Sequence, residues 1–352
     1  MKSLPKRTLC CLCATTMLLG LAACGGTSAP AASTSASDEK SFTPVEWRMA
    51  NQHPDGSIAS VADQEVCDAI KEATDGRVTI TLYDNNALGD YISVFDEIMV
   101  GSIEMGHIST NEAYDSRLLG TFLPYLATGY EQLPALYSPD GYLFTTLHDE
   151  VYSKLGIELM GFFCEGFDGI CSQVELTDPA VVNAEKGCLL RVPGMETFIE
   201  CNLMMGFRTT TIPYSDTYTA LQTGLCDGAS GVPANLAYLN FRDVMKYYYD
   251  YQQIQEATSF LINQKAFAAL LPEDQAAIRK VIQDKCAERY TLAENDEQKY
   301  KDMLTEAGVT VVEFTNEERA EFAKACHEQV WPKLAKTFPQ EFLDGCLADA
   351  QG

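Results

Sequence analysis

An α/β fold is what this sequence predicts, and three observations carry the expectation. Strand-like and helix-like apolar spacings alternate near the start of the folded body. The alternation returns over residues 157–227, and residues 272–307 hold one long helical pattern. Residues 45–50 read as a strand that runs into the loop Asn51-Gln52-His53-Pro54. Residues 59–73 have helical periodicity and stop at Thr74-Asp75-Gly76, where Gly76 suits a C-terminal cap. Residues 77–83 place Val78, Ile80 and Leu82 on one face, the spacing of a strand. A helix over 92–100 and a short strand over 105–108 follow. Strands alternating with helices give a largely parallel sheet, and in such sheets ligands bind where strand ends meet their connecting loops.

In the second half, residues 157–163 and 188–192 read as strands, 195–205 and 215–223 as helices, and 225–227 as a short strand. The run Tyr247-Tyr248-Tyr249-Asp250-Tyr251 reads as a strand alternating between core and surface. The long helical pattern opens with Pro272, Glu273 and Asp274, the residue types a first turn favours. Ile278, Val281, Ile282 and Leu292 supply its apolar side. A helix of this length can pack across two lobes.

The chain's 352 residues suffice for two domains. Its net charge of -25 repels nucleic acid and anionic headgroups, so neither is an expected partner. A small anion is still allowed, because a pocket needs only one or two well-placed cations. Lys2, Lys6 and Arg7 precede a short apolar run that reads as a secretory signal over residues 1–23. Its ending, Leu21-Ala22-Ala23-Cys24, resembles a bacterial lipobox, which implies lipidation of Cys24 and anchoring to the outer face of the cytoplasmic membrane. Loss of that segment would take the charge from -25 to -28. Residues 24–43 are rich in Ser, Ala and Pro and read as a flexible tether. Beyond Cys24 nine of the thirteen cysteines remain, an odd number without zinc-ligand spacing. They read as small buried hydrophobes, with Cys188 and Cys226 as the one pair considered for a bridge.

Catalytic signatures are weak. None of the four histidines stands in His-Glu-x-x-His spacing, and Gly228-Ala229-Ser230-Gly231 is one residue short of a Gly-x-Ser-x-Gly elbow. Binding without chemistry is therefore expected, with no metal and no cofactor; an exported hydrolase is the competing class.

Three stretches together resemble the solute-binding subunit of tripartite ATP-independent periplasmic (TRAP) transporters, of the dicarboxylate-binding type. The first is Thr74-Asp75-Gly76-Arg77-Val78-Thr79-Ile80 with Ala87-Leu88-Gly89-Asp90 and Val100-Gly101-Ser102-Ile103-Glu104-Met105-Gly106. The second is Gly187-Cys188-Leu189-Leu190-Arg191-Val192-Pro193. The third runs from Ile212-Pro213-Tyr214-Ser215 to Gly224-Leu225-Cys226-Asp227-Gly228. The resemblance implies a two-lobed periplasmic-binding-protein fold with a hinge, crossing strands and a long lobe-spanning helix. Residues 44–167 with about 255–294 would form one lobe, and 168–254 with about 295–346 the other. It also implies a small carboxylate as ligand, a membrane permease as partner, and a monomer. A binding protein for an ATP-driven importer or a sensor is the alternative with the same fold.

Residue by residue, the resemblance makes Arg191 the group that pairs with a ligand carboxylate, a role that suits a planar guanidinium with two parallel donors. Tyr214 matches an aromatic position beside the ligand. Asn51 and His53 follow the first strand, and Asp90, Thr110 and Asn111 sit on loops after sheet elements; all five are ligand candidates, as are Phe167 and Gly231. Two departures stand out. No second basic residue occurs in Gly166-Phe167-Asp168-Gly169-Ile170-Cys171, and Ala229-Ser230-Gly231 follows Asp227-Gly228 where many members carry an amide. A pocket short of a cation and an amide implies one carboxylate on the ligand rather than two.

Overall fold

The computed structural model describes residues 43–351. The expected signal segment, the tether and Cys24 lie outside the described residues. β1 (Val45–Asn51) is the first strand, and it pairs in parallel with β2 (Val78–Tyr83). Between them the helix Ile58–Ala73 begins at Ser57, whose hydroxyl accepts from Ser60 N. It ends at Thr74, and Gly76 takes φ 74° as it donates back to Lys71 O, the left-handed exit expected from the sequence. The helix Tyr91–Val100 leads into β3 (Met105–Ile108), parallel to the other side of β1.

β4 (Ile157–Ser172) is twice the length the sequence suggests, and its length organises the molecule. Through Phe167 it pairs antiparallel with β9 (Gln255–Asn263), which in turn borders β3. From Asp168 onward it pairs with β7 (Gly228–Pro233) and, at Ile170–Ser172, with β8 (Tyr247–Asp250). β5 (Leu189–Val192) lies parallel between β7 and β6 (Arg208–Thr211), and β10 (Thr310–Glu313) edges β8. One sheet thus has two halves joined through β4, in the order β2-β1-β3-β9-β4-β7-β5-β6. Where the pairing changes, the β4 register shifts between Cys164 and Gly166 and again between Gly169 and Cys171. Gly166 holds φ 140° at the first shift, a backbone region open mainly to glycine.

β9 is buried along its whole length and β4 nearly so, as strands covered on both faces must be. Part of the cover is the helix Pro272–Glu306, 35 residues and so about 52 Å long. It packs on β4, on the helix Ile58–Ala73, and on the segment around Ala234–Phe241 and β10, and so reaches both half-sheets. Arg77 ties its first turn to β2 through Asp274, Nη2 to Oδ1 2.7 Å. The helix Gln340–Gln351, whose first residues fall in the segment expected with the second lobe, packs on the helices Leu133–Tyr137 and Tyr142–Glu150 beside the first half-sheet. Tyr142 N donates to Asp349 Oδ2 there.

Two expectations need correction. Residues 225–227 are an irregular connection, and β7 starts at Gly228: the left-handed Gly224 ends the preceding helix, and the chain needs three residues to reach the sheet. Cys188 and Cys226 are both free and buried. The Cys188 thiol is instead 4.0 Å from Ser172 Oγ, in the space that Gly228 leaves by lacking a Cβ. Among the described residues no helix is long and apolar enough to cross a membrane.

Candidate functional site

A cavity of about 260 Å³ opens where the half-sheets meet. Gln52, His53, Tyr91 and Glu112 come to it from the first half, Arg191, Phe198, Tyr214 and Gly231 from the second, and Glu256 from the start of β9. Their origin explains the position: Gln52, His53, Glu112 and Tyr214 follow strands, Arg191 and Gly231 lie in β5 and β7, Tyr91 and Phe198 come from helices, and Glu256 opens β9, at the edge where the connecting loops converge.

Arg191, third residue of β5, is only 2% exposed. Its Nε donates to Ile212 O at 2.9 Å and its Nη1 to Ser230 O at 3.2 Å. Two carbonyls hold the guanidinium plane, yet no carboxylate among the described residues forms an ion pair with it. Burial without a counter-charge lowers its pKa to about 10. The Tyr214 ring lies beside it, 5.7 Å from guanidinium carbon to ring centroid, and the Tyr214 hydroxyl accepts from Asn240 Nδ2 at 2.8 Å. Gly231 takes φ 78°, and a Cβ there would meet Phe198 Cε1 at 3.3 Å; the glycine lets β7 turn beneath Arg191.

His53 reaches the cavity as expected. It is 1% exposed, and its Nε2 lies 3.0 Å from Glu165 Oε1 but outside hydrogen-bonding geometry, which leaves both ring nitrogens unpartnered. Burial, then the neighbouring His107, holds its pKa well below the ordinary value, so it is neutral. Glu165 is pushed up to about 8, chiefly by burial. Glu256 rises to about 8 by burial and by the charge of Glu165, and burial lifts Asp168 well above the usual carboxyl range.

The other candidates do different work. Asp90 stands at the cavity rim, but its Oδ1 accepts from Ile92 N and Ser93 N at 2.9 and 3.1 Å, so its carboxylate caps a helix. Asn51 is not in the cavity wall: its amide donates to Asp63 Oδ2 and its Oδ1 accepts from His53 N at 2.6 Å. Thr110 donates to Leu118 O at 3.0 Å, and Asn111 accepts from Ala113 N at 3.2 Å; both are buried supports of the loop after β3. Phe167 is fully buried against Tyr130, ring centroids 4.9 Å apart, while its N–H donates to Glu297 Oε2 of the long helix at 3.1 Å. These four fall behind the wall, each engaged there with the partners just named.

Sequence reasoning missed Glu256, Glu165 and Asp168. The signal was present: Phe163-Cys164-Glu165-Gly166-Phe167-Asp168 sets two acids inside an apolar strand, where an unpaired carboxylate is costly. It also missed the polar chain behind the wall. There His107 Nδ1 meets Asp63 Oδ1 at 2.8 Å and its Nε2 meets Thr258 Oγ1 at 2.7 Å, with its pKa lowered to about 3 by burial.

A two-part sheet around a ligand-sized cavity, with a buried and uncompensated cation in its wall, defines a solute-binding protein rather than a transporter channel. The sequence pattern of bacterial extracellular solute-binding protein, family 7 (DctP), matches residues 49–337, and the chain belongs to that family, the solute-binding subunits of TRAP transporters. A solute-binding protein of Roseobacter denitrificans is 26% identical over 266 residues, covering 75% of this chain and 78% of the relative. Among solved structures, the sugar acid binding protein of Advenella mimigardefordensis in complex with galactonate superimposes with a TM-score of 0.77 at 20% identity, over 88% of this chain and 99% of the other. A TRAP periplasmic solute-binding protein of Haemophilus influenzae with bound L-gulonate gives 0.76 at 22% identity, over 87% and 99%. At these identities the structures share the fold.

Proposed function

We propose that the chain captures a small monocarboxylate in the cavity beside Arg191 and delivers it to a TRAP-type membrane importer. The observation that carries the reading is the Arg191 guanidinium, 2% exposed, fixed by two carbonyls and lacking a carboxylate partner. A buried cation without a counter-ion is costly, and a ligand carboxylate removes that cost through charge-assisted hydrogen bonds of roughly 1.5–3 kcal/mol each. One arginine with no second cation in the wall favours one carboxylate over two. Galactonate and L-gulonate, the molecules bound in two relatives of the same fold, each carry one carboxylate and support the reading.

Capture proceeds by closure of two lobes. The division falls at residues 167 and 168, where β4 changes partner, and a ligand held by Arg191 also meets His53 and Gln52 of the other half. Contacts made only in the closed state shift the population toward it. The protein acts as a binder and not as a catalyst, monomeric and held at the outer face of the cytoplasmic membrane through lipid on Cys24. Calorimetry with carboxylates of graded charge tests the core of the reading. Arg191→Ala abolishes binding with little change in the melting temperature of the ligand-free protein, and Arg191→Lys also binds poorly because an ammonium cannot reproduce the fork. Tighter binding of succinate than of matched monocarboxylates would sink the single-carboxylate assignment.

A further inference from the structure

Arg191 shares its cavity with acid. Glu256, second residue of β9, lines the same wall, is 8% exposed, and its carboxyl makes no hydrogen bond or ion pair with a described residue. Only its backbone carbonyl is engaged, by Gln255 Nε2 at 3.1 Å. His53, 1% exposed in the same wall, has two unpartnered ring nitrogens. Behind these lie Glu165, with Oε2 unpartnered, and Asp168, with neither oxygen partnered. Among the described residues no group of three such side chains is placed to hold a metal ion, so a cation of that kind does not explain the cluster.

A plain organic anion engages only one side of this wall. It would satisfy Arg191 but give the buried Glu256 carboxyl, raised to about 8, no cation to draw it into its charged form. A molecule that carries a cation as well as a carboxylate brings no net charge into the cavity and gives both walls a partner. We infer that the ligand is a zwitterion of amino-acid type, its carboxylate on the Arg191 guanidinium and its ammonium on the Glu256 carboxylate. The inference rests on the Arg191 reading above and adds the chemistry of the ligand's other end. An ammonium offers three donors, enough for Glu256 and an acceptor nitrogen of neutral His53 together; a hydroxyl offers one. The cavity volume of about 260 Å³ is below the about 300–1,000 Å³ usual for drug-sized ligands, which suits a single amino acid.

The test is titration calorimetry on the full chain with matched trios on one carbon skeleton. One trio is leucine, 2-hydroxy-4-methylpentanoate and 4-methylpentanoate; a second is phenylalanine with its 2-hydroxy and unsubstituted acids; proline against cyclopentanecarboxylate completes the set. The tightest binder is expected to be an amino acid, roughly tenfold or more above its deaminated partners. Glu256→Gln then narrows that gap, while binding of the plain acids is kept or improved. A hydroxy or plain acid that equals or exceeds its amino partner in every set overturns the zwitterion, as does silence of all the amino acids. The two readings fail separately: if Arg191→Ala removes binding of a plain acid, the carboxylate site stands while the ammonium site falls.

Discussion

Arg191 and Glu256 line one buried cavity without an ion pair between them, and burial lowers the pKa of the first to about 10 and raises that of the second to about 8. Each is stripped of water and neither is neutralised by the other. Contact between them would favour the charged form of each, and burial without that contact shifts both toward neutral. Both are left open to the same cavity, which is what the proposed ligand site uses.

The buried acids set a pH dependence of stability. In the folded protein Glu165 and Glu256 titrate at about 8 and Glu297 at about 7, against the ordinary carboxyl range when unfolded. Between about pH 6.5 and 8 the folded state therefore holds protons that the unfolded chain has released, and stability falls as pH rises through that window. His53 and His107, neutral when folded, oppose this only below about pH 6.5, where the unfolded histidines take up protons. The melting temperature of the ligand-free protein is expected to drop from pH 6.5 to 8 and to drop less in Glu256→Gln. A flat or rising profile contradicts the assignment.

Asn51 and His53 separate by role. Asn51→Ala removes the donor to Asp63 and the acceptor for His53 N, both buried, so a loss of about 1–3 kcal/mol in urea unfolding is expected. Ligand affinity of the folded variant stays close to that of the parent. His53→Ala is expected to do the reverse, with its main effect on affinity, because His53 lines the cavity and neither of its ring nitrogens has a hydrogen-bond partner.

Glu297 pins β4 at the point where it changes partner. Its Oε2 accepts from Phe167 N at 3.1 Å, next to the glycine at φ 140°. Glu297→Ala leaves that N–H buried and unpaired, and a destabilisation of about 1–3 kcal/mol is expected. Glu297→Gln keeps an acceptor and should cost less. Equal losses in the two variants would show that the hydrogen bond is not the source.

Thiol chemistry checks the cysteines. Cys67, Cys164, Cys171, Cys188, Cys201, Cys226, Cys286, Cys326 and Cys346 are all free and buried. Iodoacetamide should leave all nine unmodified in the native protein and alkylate all nine after denaturation without reductant, as mass spectrometry would read. Two thiols missing from the denatured count would restore the Cys188–Cys226 bridge.

The sequence by itself determined the class. Its alternating periods and the cap at Gly76 point to an α/β fold, because periodicity and turn chemistry act over a few residues, while the solute-binding class and the expectation for Arg191 come from the resemblance carried by segments such as Leu190-Arg191-Val192-Pro193. Tertiary structure alone decided which polar groups meet. Glu256 joins Arg191 through strand order, since β9 lies beside β4 though about ninety residues separate them in the chain. Asn51, Thr110 and Asn111, all at or after the ends of the expected strands, turn into supports because local hydrogen bonds hold their side chains behind the wall. Pairing between distant strands has no short-range signature, so the two acids that the strand around Glu165 displays could not be joined to Glu256 and Arg191 until the sheet was assembled.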